Sequence, residues 1–76
     1  MADLEYSEKA KTLELGRYRH YKGNEYDVLF VGRSSEKDEL EEVVVYQDVA
    51  NKDLVWVQSI DRFLELHEGS PRFEKL

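Results

Sequence analysis

The sequence predicts a mainly β domain: a small five-stranded barrel of SH3-like architecture, with a single helical turn before the last strand and a short N-terminal helix. Three observations predict it. Val, Leu, Phe, Tyr and Trp gather in runs of strand length at 25–33, 41–49 and 54–60. Turn residues punctuate those runs at Gly23-Asn24, at 50–53 and at Glu68-Gly69-Ser70-Pro71. Finally, 76 residues without a cysteine allow one core and no disulfide framework. Closing five short strands into a barrel would also reduce the number of exposed edges. An open four- or five-stranded sheet with the N-terminal helix across it is the alternative.

Residues 1–15 hold Leu4, Tyr6, Ala10, Leu13 and Leu15 among good helix formers, with no Gly or Pro. They read as an N-terminal extension, helical or partly disordered, ahead of a β domain at 16–76. The first strand, 17–22, is dense in Tyr, Arg and His. Alternation puts Arg17, Arg19 and Tyr21 on one side and Tyr18, His20 and Lys22 on the other. Gly23-Asn24 makes a tight turn into the second strand, 25–33, where Gly32 marks a bulge or bend. The acidic stretch from Glu36 to Glu42 reads as a solvated hairpin loop.

In the third strand, 41–49, the three successive valines Val43, Val44 and Val45 argue against helix, because a branched Cβ crowds the preceding helical turn. Asn51 suits a left-handed turn before the fourth strand, 54–60. Asp61 is placed to cap a helical turn through Glu65, its carboxylate accepting the first free amide hydrogens. Pro71 has no N–H to offer a ladder, so the fifth strand, 72–75, belongs at an edge. The order of the strands is a meander.

Both faces of the central strands are apolar. Val28 and Phe30 oppose Leu29 and Val31; Val43 and Val45 oppose Val44 and Tyr46; Leu54 and Trp56 oppose Val55 and Val57. Such runs are expected where both sides are covered. The N-terminal segment, through Leu4, Tyr6, Leu13 and Leu15, is the expected cover for the second face. A second copy or another protein is the alternative, so the chain is expected as monomer or homodimer.

The charge excludes some functions and localises others. Seventeen acids against eleven bases give a net charge of −6, a surface that repels nucleic-acid backbones and anionic lipid. Residues 16–33 run against that trend, with Arg17, Arg19, Lys22 and Arg33 against Glu25 and Asp27. No apolar run approaches the roughly 20 residues that span a bilayer, and the acidic start is unlike a signal peptide, so a cytoplasmic address without membrane contact is expected. His20 and His67 stand far apart and there is no Cys, which argues against a metal site. The four glycines are isolated, so no phosphate loop forms and no cofactor is expected. No serine lies in a nucleophile elbow, and the chain is expected not to be an enzyme.

What remains is a ribbon of rings beside cations. Arg17, Arg19, His20, Tyr21 and Lys22 are the candidate ligand-binding residues, with Tyr46 and Trp56 as an aromatic floor. They suit a non-enzymatic module that binds a protein or a small anionic ligand. Arg62 and Arg72 would add charge to the same rim or offset Glu65 and Glu74. Two alternatives use the same residues: single-stranded nucleic acid stacked on the rings, or an enzyme with His20 as acid or base beside Asp27 or Glu25. Against all three, Arg17 and Arg19 are also within reach of Glu25 and Asp27 as ordinary cross-strand pairs.

The run from Gly16 to Gly23, G-R-Y-R-H-Y-K-G, followed by Tyr26-Asp27-Val28-Leu29, Val44-Val45-Tyr46, Trp56-Val57, Phe63 and Pro71-Arg72-Phe73, resembles a bacterial family known as domain of unknown function 1653. The resemblance spans residues 16–73. It implies a compact, mostly β domain with no assigned activity, cofactor or catalytic residue. The family pattern continues after Trp-Val with Arg-Pro, where this chain has Gln58-Ser59.

Overall fold

A computed structural model describes residues 5–35 and 41–76. The elements are α1 (Glu8–Thr12), β1 (Gly16–His20), β2 (Glu25–Arg33), β3 (Glu42–Asp48), β4 (Val55–Ser59), α2 (Ile60–Phe63), β5 (Leu66–His67), β6 (Ser70–Pro71) and β7 (Phe73–Lys75). Five of the strands form one antiparallel sheet in the order β4-β3-β2-β1-β7, and β5 and β6 make a separate hairpin. The meander holds for the first four strands. β7 then returns to the far side of β1, with Tyr18 opposite Lys75 and His20 opposite Phe73.

The sheet does not close, and the barrel expectation gives way to the open sheet. Its edges, β4 and β7, are five and three residues long and lie at opposite ends of the strand order. Between them the chain runs through α2 and the β5–β6 hairpin, which occupy residues that a closing strand would need. The shape follows, with principal extents of 42 × 31 × 20 Å and a radius of gyration of 12.9 Å. A compact chain of this length would have a radius near 11.4 Å.

One face of the sheet is covered. Tyr18, Val28, Val44 and Tyr46 point to it, and Ala10, Ile60 and Phe63 from the two helices pack on them, with Leu13, Tyr26, Val31 and Phe73 around the margin. Phe63 is at the centre: its ring stacks on Phe73 at 4.3 Å and meets Tyr18 edge-on at 5.4 Å. The Tyr18 hydroxyl donates to the Glu14 carbonyl at 2.6 Å, which satisfies the one polar atom it buries.

The other face is open. The N-terminal segment was expected there, but α1 lies beside α2 on the covered face. Ala10 is its buried residue, while Tyr6 and Leu15 are exposed and Leu4 lies outside the described residues. The tether is Glu42. Its carboxylate accepts from the Ser7 amide and the Ser7 hydroxyl, both at 2.6 Å, and the same hydroxyl caps α1 by accepting from the Ala10 amide. Glu42 is therefore a buried strand residue rather than part of a solvated loop; Glu36 to Leu40 lie outside the described residues.

Local departures each have a cause. The first strand stops at His20, because Tyr21, Lys22 and Gly23 form a three-residue loop closed by the Gly23 amide on the His20 carbonyl at 2.7 Å. Gly23 sits at φ +105°, where a side chain is strained. The bulge in β2 falls between Val28 and Phe30, not at Gly32, which pairs in register with Val43. That extra residue swaps faces, so Val28 is buried and Phe30 is 65% exposed. α2 starts at Ile60 with Ser59 as its cap, the hydroxyl accepting from the Arg62 amide, whereas Asp61 lies inside the first turn. Starting two residues earlier puts Ile60 and Phe63 on the same buried side. The segment expected to be a turn at 68–71 is a hairpin tip, Glu68-Gly69, both at positive φ.

Candidate functional site

At the β4 side of the covered face the packed rings give way to a hollow of about 220 Å³, lined by His20, Tyr26, Tyr46, Trp56, Gln58, Arg72 and Phe73. Each wall has a reason to be there. Tyr26 and Tyr46 come from adjacent strands, with Val28 opposite Tyr46, and their rings meet edge-on at 5.3 Å. Trp56 is opposite Tyr46 on the next strand, at the sheet edge, and is 46% exposed. The Tyr46 hydroxyl donates to Gln58 Oε1 at 3.3 Å. From the other side the returning chain supplies Arg72 and Phe73, and the His20 and Phe73 rings meet edge-on at 4.9 Å.

Arg72 is the charged group of this hollow. Its backbone is pinned, the carbonyl accepting from the Tyr21 amide at 2.8 Å. One terminal nitrogen, Nη2, reaches Glu65 at 3.3 Å, while Nε is buried and has no hydrogen-bond partner among the described residues. A buried guanidinium N–H without an acceptor is costly, because it loses water without replacing it. Burial, followed by the nearby charges of Lys22, Arg72 and His67, holds the His20 ring below the usual histidine range. Its Nδ1 accepts the Lys22 amide at 3.2 Å, leaving Nε2 as the other ring nitrogen.

Three of the residues singled out from the sequence, His20, Tyr46 and Trp56, meet here. The others go elsewhere. Arg17 and Arg19 are on the open face: Arg17 donates to Asp27 at 3.0 and 3.4 Å and lies 4.0 Å from Glu25, and Arg19 pairs with Glu74 at 3.7 Å. Tyr21 stacks on His67 at 4.2 Å, with the Lys22 ammonium 5.9 Å from the Tyr21 ring. Arg19, His20 and Tyr21 line another hollow, of about 390 Å³, with Gly23, Ser70, Pro71 and Glu74. The ribbon is thus divided by strand alternation, with its arginines on one face and His20 on the other. Tyr26 and Phe73 were not foreseen as walls. Their signal was available only as pairing, since Phe73 reaches the hollow because β7 docks on β1. Among the described residues no group of three or more His, Cys, Asp or Glu is placed to hold a metal, and no helix is long and apolar enough to cross a membrane.

The model of the protein family of unknown function DUF1653 matches residues 16–75. The chain belongs to the DUF1653 family. A crystal structure of a DUF1653 protein from Bordetella bronchiseptica superposes with a TM-score of 0.73 at 33% identity, over 88% of this chain and 91% of that one. No curated protein matches the chain. Within this DUF1653 chain, every residue lining the hollow falls inside the matched segment, whereas α1 lies outside it. Gln58 is one of the walls, and Arg72 is the arginine lining the hollow.

Proposed function

We propose that this chain is a non-enzymatic binding module that receives a small anionic group, a carboxylate or phosphate, in the hollow between Trp56 and Arg72. The observation that carries the reading is Arg72: Glu65 holds one end of the guanidinium, and the buried Nε has no acceptor among the described residues. An entering anion oxygen would supply that acceptor with a charge-assisted bond. The rings of Tyr26, Tyr46, Trp56 and Phe73 offer walls for a flat or apolar body. At about 220 Å³ the space is below the range of about 300–1,000 Å³ usual for whole organic ligands, so it suits one group of a larger molecule or a small ion. The tie from His20 Nδ1 to the Lys22 amide, and its depressed basicity, favour a positioning role over acid–base work. The division of the ribbon between two faces, with Arg17 and Arg19 already paired to acids, favours this reading over single-stranded nucleic acid.

The test is a titration of the ¹⁵N-labelled chain with inorganic phosphate and, separately, with benzoate. Saturable shifts of the Trp56 indole and Arg72 Nε–H signals are expected with at least one of them, lost in Arg72→Gln while the rest of the spectrum stays folded. Phosphate acting alone would identify a compact oxyanion, and benzoate acting alone a carboxylate on a flat body. Silence from both, or equal shifts in Arg72→Gln, refutes the proposal. Shifts confined to oligonucleotide, weakening steeply with salt, would instead favour nucleic acid.

A further inference from the structure

The two edges of the sheet are built differently. β7 is three residues long and carries Glu74 and Lys75, charges of the kind that protect an edge against pairing. β4 reads Val-Trp-Val-Gln-Ser, with no charge and no proline, in a chain of net charge −6. Val55 and Val57 are 51% and 65% exposed on the open face, next to Val43 and Val45 of β3.

The hydrogen-bond phase of that edge is fixed. The Asp48 amide donates to the Leu54 carbonyl at 2.9 Å, and the register continues through Gln47 opposite Val55 and Tyr46 opposite Trp56. Bonded and non-bonded pairs alternate along an antiparallel ladder. Trp56 therefore turns its N–H and C=O toward β3, and Val55 and Val57 turn theirs outward. We propose that β4 is a homodimer edge: two copies pair β4 to β4, antiparallel about a two-fold axis at Trp56, into one ten-stranded sheet.

The register is self-complementary. Val55 of each copy exchanges both backbone bonds with Val57 of the other, and the two Trp56 side chains become close cross-strand neighbours on the covered face. Leu54 falls opposite Gln58. No position in this pairing sets like charges against each other, which an acidic chain could not avoid at most of its surface. The absence of any cation on β4 also disfavours an oppositely charged foreign strand as the occupant.

Sedimentation or light scattering across a concentration series reads the state directly. The wild-type chain is expected at twice its monomer mass. Val57→Pro removes an outward N–H without touching the β3 ladder, a position where an edge tolerates proline, and is expected to leave one-chain mass with an unchanged circular dichroism spectrum. Val57→Arg keeps every backbone donor and places a charge inside the apolar stripe; it is also expected to give one-chain mass, and it decides the matter if the proline variant does not fold. A wild-type chain that stays monomeric up to millimolar concentration overturns the proposal. So does a folded Val57→Pro or Val57→Arg chain that remains dimeric, since the assembly would then use another surface.

Discussion

Outside the hollow, Glu42 is the buried acid on which the N-terminal segment is tied. Its carboxylate joins the sheet to the cap of α1, and the hydroxyl and amide of Ser7, helped by burial-opposing charges from Arg33 and Lys9, hold it below the usual value of 4.5. A depressed carboxylate contributes stability that is present above its unfolded value and is lost as pH falls through its folded one. Glu42→Gln is therefore expected to cost roughly 1–3 kcal/mol at neutral pH and to flatten the acid limb of the melting curve below pH 4.5. Each kcal/mol corresponds to about 4–8 °C in a domain of this size. His20 has the opposite chemistry and the same direction in pH. Its folded value lies below 6.5, so the unfolded chain takes up the proton first, and stability falls as pH drops below 6.5 before levelling beneath the folded value. The ring signal should titrate below 6.5 in the free protein and move upward when an anion occupies the hollow, because the bound charge offsets Arg72. An unperturbed His20 titration would contradict this account of its surroundings.

Among the elements, α2 contributes most to the core for its length. It is one turn of four residues, yet Ile60 and Phe63 are both buried and Phe63 touches rings from β1, β3 and β7. Phe63→Ala should cost about 3–5 kcal/mol, enough to unfold much of a small domain. Arg62→Ala on the exposed side of the same turn should stay within about 0.5 kcal/mol; comparable losses would mean the turn is not anchored by its apolar side. The sequence made the four meander strands legible because their valines and aromatics cluster at strand length and their turns carry Gly, Asn or Asp. Alternation also separated Arg17 and Arg19 from Tyr18 and His20 correctly. The bulge at Leu29 was not legible, since nothing about a leucine between Val28 and Phe30 announces an extra residue, and the bulge alone decides that Phe30 faces outward. Ser59 was missed as a cap because Asp61 offered an equally good acceptor, and the choice rests on where Ile60 must point. The hollow was half legible: Trp56, Tyr46 and His20 stood out as rings, but the docking of β7 on β1, which brings Phe73 beside His20, is a long-range pairing with no local signature.

At the scale of the whole molecule, a single sheet with helices on one side must depend heavily on that cover. The covered face is sealed by α2 from within the family segment and by α1 from outside it, residues 16–75 being the part that matches DUF1653. α1 contributes the buried Ala10, the packing of Leu13, the Ser7 bonds to Glu42 and the ion pair of Lys9 with Asp61 on α2. The last of these is exposed and adds little. The burial and the charge-assisted bonds together should be worth roughly 2–4 kcal/mol. Deleting residues 1–14 is accordingly expected to lower the melting temperature by about 10–25 °C and to raise binding of a hydrophobic dye, because Tyr18, Val44 and Phe63 lose part of their cover while the valines of the opposite face are already bare. The same deletion should leave the Trp56 and Arg72 signals responsive to anion, since α1 supplies no wall of the hollow. A truncated chain with native melting temperature and dye binding would show that the sheet, α2 and the C-terminal strands are self-sufficient. A folded truncation that no longer responds to anion would mean that the N-terminal segment shapes the site from a distance, contrary to the separation of cover and site argued from the geometry.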